Sequence, residues 1–341
     1  MEGVDLVSLD RWMEARSLGS GSISGVRLLA GGTQDILLRF HRGPSEFVLR
    51  RPPPVLRAGS NETMRREMRV LEALRGSDVP HPGFIAGSSD ETILGAAFYL
   101  MQPVDGFNPM SGLPALHARE PLLRRRIGLA VVEAIAALGA LDYRAVGLAD
   151  FGKPENFLER QVGRWRRQLE SYADLAGWPG PGAIPGVDAV AAWLDRHRPS
   201  SFQPGIIHGD AHLANVMIRP DSGELAALVD WELSTIGDPL LDLGWLIATW
   251  PTDGSSFATD AMANQLTDLA SPADLAAHYA ASSGRDLAAL DWYIVLACYK
   301  LGIILEGSFA RACAGKAPRE TGERLHAHTL ALFERALSII R

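Results

Sequence analysis

Apolar and polar positions follow one pattern before residue 104 and another after it. The first part combines helical periods with short apolar runs typical of strands, whereas helical periods dominate the second part. The predicted helices cover residues 5–18, 62–75, 120–141, 155–176, 187–197, 239–250, 272–282, 288–310 and 319–340. The predicted strands cover residues 35–40, 46–50 and 97–101, a compact β-segment covers 205–230, and residues 19–25 are interpreted as a Gly/Ser linker.

The change of pattern near Pro103 predicts two lobes, residues 1–103 and 104–341. A chain of 341 residues exceeds the size at which one hydrophobic core keeps growing, which also favours two lobes. We therefore expect an α+β fold. Its small N-terminal lobe is rich in β-structure and holds one key helix, and its large C-terminal lobe is mainly helical and contains a β-hairpin.

The composition is that of a globular protein, and it narrows the range of partners. With 33 basic and 40 acidic side chains the net charge is −7, which argues against nucleic acid as the main partner. No run of 18 apolar residues occurs and residues 1–10 carry no base, so we expect neither a membrane span nor a targeting segment. The two cysteines, Cys298 and Cys313, give no disulfide framework, which favours a cytoplasmic location.

The β-segment places two oxygen-bearing side chains at one end of a predicted hairpin. If its turn is centred between Ser222 and Gly223, Asn215 faces Asp230 on the neighbouring strand. An amide oxygen and a carboxylate this close together can coordinate one Mg²⁺ ion, which also takes phosphate oxygens and water. We therefore predict that Asn215 and Asp230 are metal ligands.

His208, Asp210 and Asn215 have the spacing of a kinase catalytic loop, His-x-Asp-x-x-x-x-Asn. In that chemistry a carboxylate free of the metal orients the attacking hydroxyl and accepts its proton, and we predict this catalytic role for Asp210. His208 is predicted to fix the loop by hydrogen bonding. Asp and Asn are also common loop formers, but the joint spacing of these residues favours the catalytic interpretation.

A zinc site at His208 and His212 is the alternative for this segment. It requires both side chains on one face of a helix, whereas Gly209 and the apolar run before it argue against a helix there. No third ligand stands out in the sequence. We therefore expect His212 to face solvent.

Glu67 lies in the middle of the apolar stripe of the helix predicted at 62–75. A buried carboxylate needs a cation, and kinase-like folds supply one from a strand, where it also contacts the nucleotide phosphates. Arg50 is the candidate, with Arg51 as the second choice. The alternative is that the long side chain of Glu67 reaches solvent.

Gly31, Gly32 and Thr33 precede the strand at 35–40 and form the candidate phosphate-binding loop. Glycines there let backbone N–H groups approach phosphate oxygens, and a plain β-turn is the alternative. The sequence has no Walker A motif and no G-x-S-x-G motif, which argues against a P-loop NTPase and against the commonest serine hydrolases.

Together these motifs resemble the aminoglycoside phosphotransferase/choline kinase type of protein-kinase-like enzymes. Within that family the chain is similar to the branch related to the kinase-like domain fused to some acyl-CoA dehydrogenases. The resemblance extends over nearly the whole chain and is carried by residues 31–32, 47–52, 66–71, 98–101, 146–148, 161–165, 208–215, 230–239 and 242–243. The segments 208–215 and 230–239 are highly specific in combination.

The resemblance implies transfer of the γ-phosphate of ATP to a hydroxyl of a small molecule, with Mg²⁺, on a bilobal protein-kinase-like fold. Asp210 matches the catalytic base of the family, and Asn215 and Asp230 match its metal ligands. The expected partners are therefore a nucleotide and a small hydroxylated substrate, with no nucleic acid and no membrane.

The same resemblance gives each lobe a role. Residues 1–103 are expected to bind the nucleotide, with Met101, Gln102 and Val104 in or beside the adenine-binding hinge, and residues 104–341 to hold the catalytic loop and the acceptor pocket. The acceptor is expected to be aminoglycoside-like, an amino alcohol or hydroxyacyl-CoA-like. The alternative function is a pseudokinase that binds a nucleotide or metabolite without catalysis.

Overall fold

The computed structural model describes residues 3–29, 35–251 and 266–341. The N-terminal part is built on an antiparallel five-stranded sheet in the order β1-β2-β3-β5-β4. Its strands are β1 (Ile23–Leu28), β2 (Ile36–Arg42), β3 (Ser45–Arg51), β4 (Phe84–Ser88) and β5 (Phe98–Met101). Two small sheets follow, β6 (Gly205–Ile207) with β9 (Thr235–Gly237), and β7 (Val216–Ile218) with β8 (Leu225–Leu228).

Helices flank the five-stranded sheet and form most of the chain after it. In the described ranges the α-helices are α1 (Leu6–Glu14), α2 (Ser60–Ala73), α3 (Glu91–Leu94), α4 (Ala115–Arg119), α5 (Pro121–Ala140), α6 (Glu159–Glu170), α7 (Val187–Arg196), α8 (Leu240–Ala248), α9 (Pro272–Ser283), α10 (Leu290–Cys313) and α11 (Arg319–Ile340). The long helices α10 and α11 pack along each other, and α10 also packs against α8, which starts behind the catalytic loop.

The alternation of side chains along β3 and β5 lets the sheet contribute to two cores. Phe47 of β3 and Phe98 of β5 pack in the core that contains Trp12 of α1. Residues an odd number of positions away lie on the opposite face of the sheet, so Arg50 and Tyr99 face α2. This pleat explains why a cation and a phenol are available to a carboxylate on that helix.

One helix in the part of the chain that the structure describes, α10, is long and apolar enough to span a membrane by length and composition. However, 67% of its most apolar window is buried inside the protein. Tyr299 of this helix packs against Phe333 of α11, with ring centroids 5.9 Å apart. Such burial is typical of a core helix, and α10 has that position among the C-terminal helices.

The sequence pattern predicts most of the longer elements to within a few residues and misses the strands β1 and β4. Strand β1 begins inside the predicted linker at 19–25. The apolar pattern missed it because its residues are mostly exposed, and only Ile23 and Val26 are half-buried. Strand β4 was also not predicted from the apolar pattern. The boundary between residues 103 and 104 follows the end of β5 and stays a prediction.

Candidate active site

Strand β6 leads into the loop that carries His208, Gly209 and Asp210. Asp242, in the first turn of α8, accepts hydrogen bonds from the backbone N–H groups of His208 (2.7 Å) and Gly209 (2.8 Å). Asp242 is 1% exposed, and burial raises the pKa of its carboxyl to about 6. The loop is therefore held from behind by a buried carboxyl group.

His208 is fully buried behind this loop. Its Nε2 lies 3.0 Å from the carbonyl oxygen of Val229, which assigns the proton to that nitrogen, and its ring centroid lies 4.7 Å from that of Trp231. Burial lowers the pKa of His208 to about 4, so the ring is neutral. This geometry agrees with the predicted role of fixing the loop. Neither His208 nor His212 belongs to the metal-compatible cluster found in the described residues, so the zinc alternative has no support.

Asp210 is held by two neighbours within its own loop. Asn215 Nδ2 donates to Asp210 Oδ2 (2.8 Å) and to the Asp210 carbonyl oxygen (3.0 Å), and His212 Nε2 lies 3.3 Å from Asp210 Oδ1. Burial opposes ionisation of Asp210, but the hydrogen bond and charge of His212 outweigh it and lower the pKa of the carboxyl. The expectation that His212 faces solvent is therefore wrong, because it is half-buried and contacts the predicted base.

The β7–β8 hairpin has a register one residue away from the predicted one. Val216 pairs with Leu228, and the N–H of Val229 donates to the carbonyl oxygen of Asn215 at 2.9 Å. Asn215 therefore faces Val229 rather than Asp230. The turn is centred between Asp221 and Ser222, one residue earlier than predicted, and a bulge opposite Met217 and Ile218 then restores part of the difference. Asp230 follows with a φ of +68°, a left-handed conformation that Asp tolerates better than most residues.

Arg50 joins the sheet, α2 and the hairpin by contacting three carboxylates. Its Nη2 lies 2.8 Å from Asp230 Oδ1 and 2.9 Å from Asp35 Oδ2, and its Nε lies 3.2 Å from Glu67 Oε2. Glu67 is fully buried, so the alternative that it reaches solvent is wrong. Arg51 instead donates to the carbonyl oxygens of Gly3 and Pro52, at 2.6 Å and 3.0 Å. The cation that contacts Glu67 is therefore Arg50.

The carboxylates around Arg50 have capacity for a further cation. Ligand oxygens of Glu67, Asp230 and Glu232 lie within 4.8 Å of one another, and Glu67 Oε1 has no hydrogen-bond partner among the described residues. Burial raises the pKa of Glu67 to about 7, and burial together with the charge of Asp230 raises that of Glu232. Clustered oxygen ligands with surplus negative charge suit a hard divalent cation such as Mg²⁺. Glu232 was not predicted, although it lies two positions after Asp230.

The remaining predicted nucleotide contacts are placed only in part. Gly31, Gly32 and Thr33 lie outside the described residues. Met101 ends β5, and the N–H of Gln102 donates to the carbonyl oxygen of Gly83 at 2.8 Å, while Val104 is half-buried.

The segment that contains the predicted hinge connects the five-stranded sheet to the catalytic hairpin. Phe107 and Ile218 exchange backbone hydrogen bonds of 2.9 Å and 2.8 Å just after this segment. The chain therefore passes from the sheet to the catalytic hairpin within six residues of Met101, which is where a hinge bordering a nucleotide cleft is needed. Contact of Met101, Gln102 and Val104 with a nucleotide stays a prediction.

A cavity of about 240 Å³ opens beside the predicted base. Asp210 and His212 line it together with eight largely apolar neighbours: Met110, Leu213, Ala214, Trp245, Thr249, Pro251, Leu301 and Leu305. Among the described lining residues Asp210 supplies the single carboxylate. The site therefore combines an ionised, hydrogen-bonded aspartate with a mostly apolar space. Its loop leads into the β7–β8 hairpin, and the Asp230 carboxylate that Arg50 contacts follows that hairpin.

The five-stranded antiparallel sheet, the helix that carries the buried Glu67 and the large helical part with its small hairpins form a protein-kinase-like fold. The chain belongs to the phosphotransferase enzyme family, whose sequence profile matches residues 25–292. The α+β, bilobal protein-kinase-like fold class and the family resemblance given by the sequence motifs are both confirmed.

Relatives of known sequence and structure agree with this placement. Acyl-CoA dehydrogenase family member 11 of Gallus gallus is 29% identical over 329 residues, which cover 94% of this chain and 41% of that protein. The chain thus spans about two-fifths of the length of that relative. A protein of Ralstonia eutropha JMP134 assigned as an aminoglycoside phosphotransferase is 28% identical, with a TM-score of 0.79 over 98% of this chain and 99% of that one.

A more distant structure shares the fold alone. A thermostable mutant of aminoglycoside phosphotransferase APH(4)-Ia, in a ternary complex with AMP-PNP and hygromycin B, is 14% identical. Its TM-score is 0.59 over 96% of this chain and 98% of that one. The similarity in fold therefore persists well beyond the similarity in sequence.

Proposed function

We propose that this phosphotransferase is a kinase that uses ATP and Mg²⁺ to phosphorylate a hydroxyl group of a small molecule. The observation that carries the proposal is the state of Asp210. Its pKa is lowered, its oxygens are held by Asn215 and His212, and it lines a cavity large enough for a small substrate. An ionised carboxylate fixed beside such a space is what orientation and deprotonation of a hydroxyl require.

The chain's own residues supply three parts of this mechanism. Asp210 orients the acceptor hydroxyl and takes its proton while the hydroxyl oxygen bonds to the γ-phosphorus and the bond from that phosphorus to the β–γ bridging oxygen breaks. Arg50 is placed to compensate phosphate charge, because it already compensates the carboxylates of Asp35 and Asp230. Asp230 and Asn215 would hold Mg²⁺, with Glu232 close to Asp230. The ion, when bound, would neutralise charge on the phosphates.

The nucleotide assignment has two supports. The predicted hinge segment connects the five-stranded sheet to the catalytic hairpin, and Arg50 lies on the same sheet, close to Asp230. In addition, the related fold of APH(4)-Ia has been seen with the ATP analogue AMP-PNP. A cytoplasmic location is also proposed, since Cys298 and Cys313 are both free thiols.

The lining of the Asp210 cavity favours an acceptor with an apolar body. An aminoglycoside carries several ammonium groups, which need several carboxylates, whereas Asp210 is the single carboxylate among the described lining residues. Leu213, Leu301 and Leu305 instead offer contacts to aliphatic carbon. Of the three expected acceptor classes, the aliphatic hydroxyacyl type therefore fits this cavity better than an aminoglycoside.

The test is ATP turnover across a library of hydroxylated metabolites, with Asp210→Asn compared with wild type. Loss of the base should lower kcat about 10²- to 10⁴-fold while the nucleotide-induced rise in melting temperature persists. Asp221→Asn, on the exposed turn of the same hairpin, should match wild type. Asp230→Ala should lose the Mg²⁺-dependent part of the melting shift.

Two results would contradict the proposal. Full turnover by Asp210→Asn would remove the assigned base. A Mg²⁺–ATP melting shift in wild type without turnover of any alcohol would instead favour the pseudokinase alternative.

A further inference from the structure

A second cavity lies beside the same loop and shares Trp245 with the cavity at Asp210, and the mechanism above does not use it. It measures about 160 Å³ and is bordered by α6, α8, α10 and the segment around Gly209. Its polar lining residues are Gln161, Arg164, Thr235, Asp242, Lys300 and the indoles Trp165 and Trp245. The segment 161–165 is one of those that carry the family resemblance, so the cavity accounts for a motif that the catalytic loop leaves unexplained.

This cavity has more hydrogen-bond donors than acceptors. The Nε1 atoms of Trp165 and Trp245 are buried and have no hydrogen-bond partner among the described residues. Trp245 is 5% exposed, so its N–H is also out of reach of bulk water. Leaving a buried donor unpaired costs about 1–3 kcal/mol, so a bound acceptor that reached either indole would relieve that cost.

Lys300 adds a positive charge to the same wall. Its Nζ donates to the carbonyl oxygen of Gly209 at 3.0 Å and lies 4.2 Å from the ring centroid of Trp245. Gly209 is the single hydrogen-bond acceptor found for this ammonium among the described residues, so two of its three protons have no acceptor there. Burial lowers the pKa of Lys300 to about 8, which leaves it mostly charged at neutral pH.

The carboxylate that borders the cavity does not compensate this charge by direct contact. Both oxygens of Asp242 accept backbone N–H groups, from His208 and Gly209. Arg164 is an exposed second cation, with its guanidinium 5.2 Å from the ring centroid of Trp165. The cavity therefore presents donors and positive charge that no acid in the described residues neutralises by a direct ion pair.

We propose that this cavity binds a carboxylate group of the phosphoryl acceptor, with Lys300 as the residue that determines this specificity. The inference rests on the proposed function and narrows its substrate to hydroxy acids. Gly209 directly precedes Asp210, and Trp245 lines both cavities, so one small molecule can place its hydroxyl at Asp210 and its carboxylate at Lys300. The carboxylate itself is unchanged by the reaction, which transfers the phosphoryl group to the hydroxyl oxygen and the proton to Asp210.

The size and lining of the cavity favour a carboxylate over a phosphate. Its volume is about that of five water molecules, enough for a carboxylate and a short aliphatic segment. Leu241, Leu296 and Ile304 contribute apolar wall, and one half-buried ammonium balances one negative charge. A phosphate monoester carries nearly two charges, and the second cation of the lining, Arg164, is exposed and screened by water, so it compensates the additional charge less well.

The test measures binding and turnover separately, on the full chain. Tryptophan fluorescence without nucleotide is titrated with 3-hydroxybutyrate, with its neutral amide and with glycerol 3-phosphate. Wild type should bind the acid most tightly, and Lys300→Met should weaken that binding at least about tenfold while leaving the weak binding of the amide unchanged. Lys316→Met, at an exposed lysine just after α10, is the matched control and should bind like wild type.

A second variant tests the same site in case Lys300→Met does not fold. Trp165→Phe keeps an aromatic ring and removes one unpaired N–H, so its melting temperature should stay near that of wild type while acid binding weakens. Turnover should then show a higher KM for the acid in both variants, with a smaller change in kcat.

The outcomes separate this inference from the proposed function. Acid binding that depends on Lys300, without any phosphorylation, would uphold the site and reject the kinase proposal. If wild type and Lys300→Met both phosphorylate the acid and its amide equally well, the carboxylate site is overturned. That turnover would still support the kinase proposal. A uniform fall in kcat on all acceptors in Lys300→Met, with unchanged acid binding, would make Lys300 a positioning residue for the loop and also overturn it. Tightest binding of glycerol 3-phosphate would reject the carboxylate assignment.

Discussion

At the scale of single residues, buried charges set the properties of this site. Arg50 contacts Asp35, Glu67 and Asp230, so one cation serves three carboxylates. The pKa of Glu67 near 7 shows that burial outweighs the attraction of Arg50, and this carboxyl is partly protonated at neutral pH. A divalent cation at the neighbouring Glu232 and Asp230 would favour the ionised form of Glu67. Metal binding is therefore expected to release the proton that Glu67 partly holds.

Asp242 gives a pH dependence whose sign follows from its burial. Its folded-state pKa of about 6 lies above the ordinary value of 3.8, so between these values the folded protein holds a proton that the unfolded chain releases. The resulting stability is fully present below about pH 4 and is lost as pH rises through 6. The shift corresponds to roughly 3 kcal/mol. Asp242→Asn cannot ionise, so its destabilisation relative to wild type should be largest near pH 4 and smallest near pH 7.

Urea unfolding of both proteins at pH 4.5, 5.5 and 7 measures this difference. Asp221→Asn, on the exposed hairpin turn, should show no such dependence on pH. A destabilisation by Asp242→Asn that is the same at all three pH values would mean that Asp242 ionises normally in the folded protein.

At the scale of elements, the turn from β6 into the catalytic loop depends on Gly209. Its φ is +83°, and an added Cβ would lie 2.4 Å from the carbonyl oxygen of Leu233. Gly147 has nearly the same φ, +81°, with no atom within 4 Å of its added Cβ. Gly147→Ala should therefore cost about 1–2 kcal/mol in unfolding free energy for the left-handed backbone alone. Gly209→Ala should cost more and should also lower kcat at least tenfold, because the shifted loop carries Asp210.

Urea unfolding and ATP turnover on both variants test this prediction. Equal unfolding free energies and wild-type turnover for the two alanines would show that the loop accommodates a Cβ without moving Asp210.

The sequence predicts an element well where its signal is local. Helices such as α2 and α7 have an apolar period, and the Arg50–Glu67 pair was predictable because a carboxylate on an apolar stripe needs a cation. The hairpin register was missed because several turn residues in 219–224 could form its centre and the bulge in β8 has no obvious sequence signal. Lys300 was missed because its contact with Gly209, 91 residues away, is set by the packing of α10 rather than by any motif.

At the scale of the whole molecule, polar contacts of Arg50 and Arg66 cross the boundary between the sheet with α2 and the helical part, beside apolar residues of α2 that pack in the core of the helical part. Arg50 reaches Asp230 across this boundary, and Arg66 of α2 donates to the carbonyl oxygens of Phe151 and Ser234 at 3.0 Å and 3.1 Å. The Arg66 guanidinium also lies 4.2 Å from the ring centroid of Phe151. Because α2 carries Glu67, these bonds set the position of the Arg50 cluster relative to the catalytic hairpin.

Arg66→Met should therefore impair nucleotide use more than folding. Losing two hydrogen bonds from a charged donor should cost about 2–4 kcal/mol locally, and hydrogen exchange of α2 and β3 amides should accelerate while amides of α10 keep their protection. KM for ATP should rise severalfold, because the Arg50 cluster loses its fixed distance from Asp230. Arg69, on the same helix, forms an exposed ion pair with Asp150 of the helical part; because exposed pairs contribute little, Arg69→Met should change neither quantity. If both variants instead leave KM and exchange unchanged, the Arg50–Asp230 contact alone aligns the two parts, and Arg66 contributes only to the surface of α2.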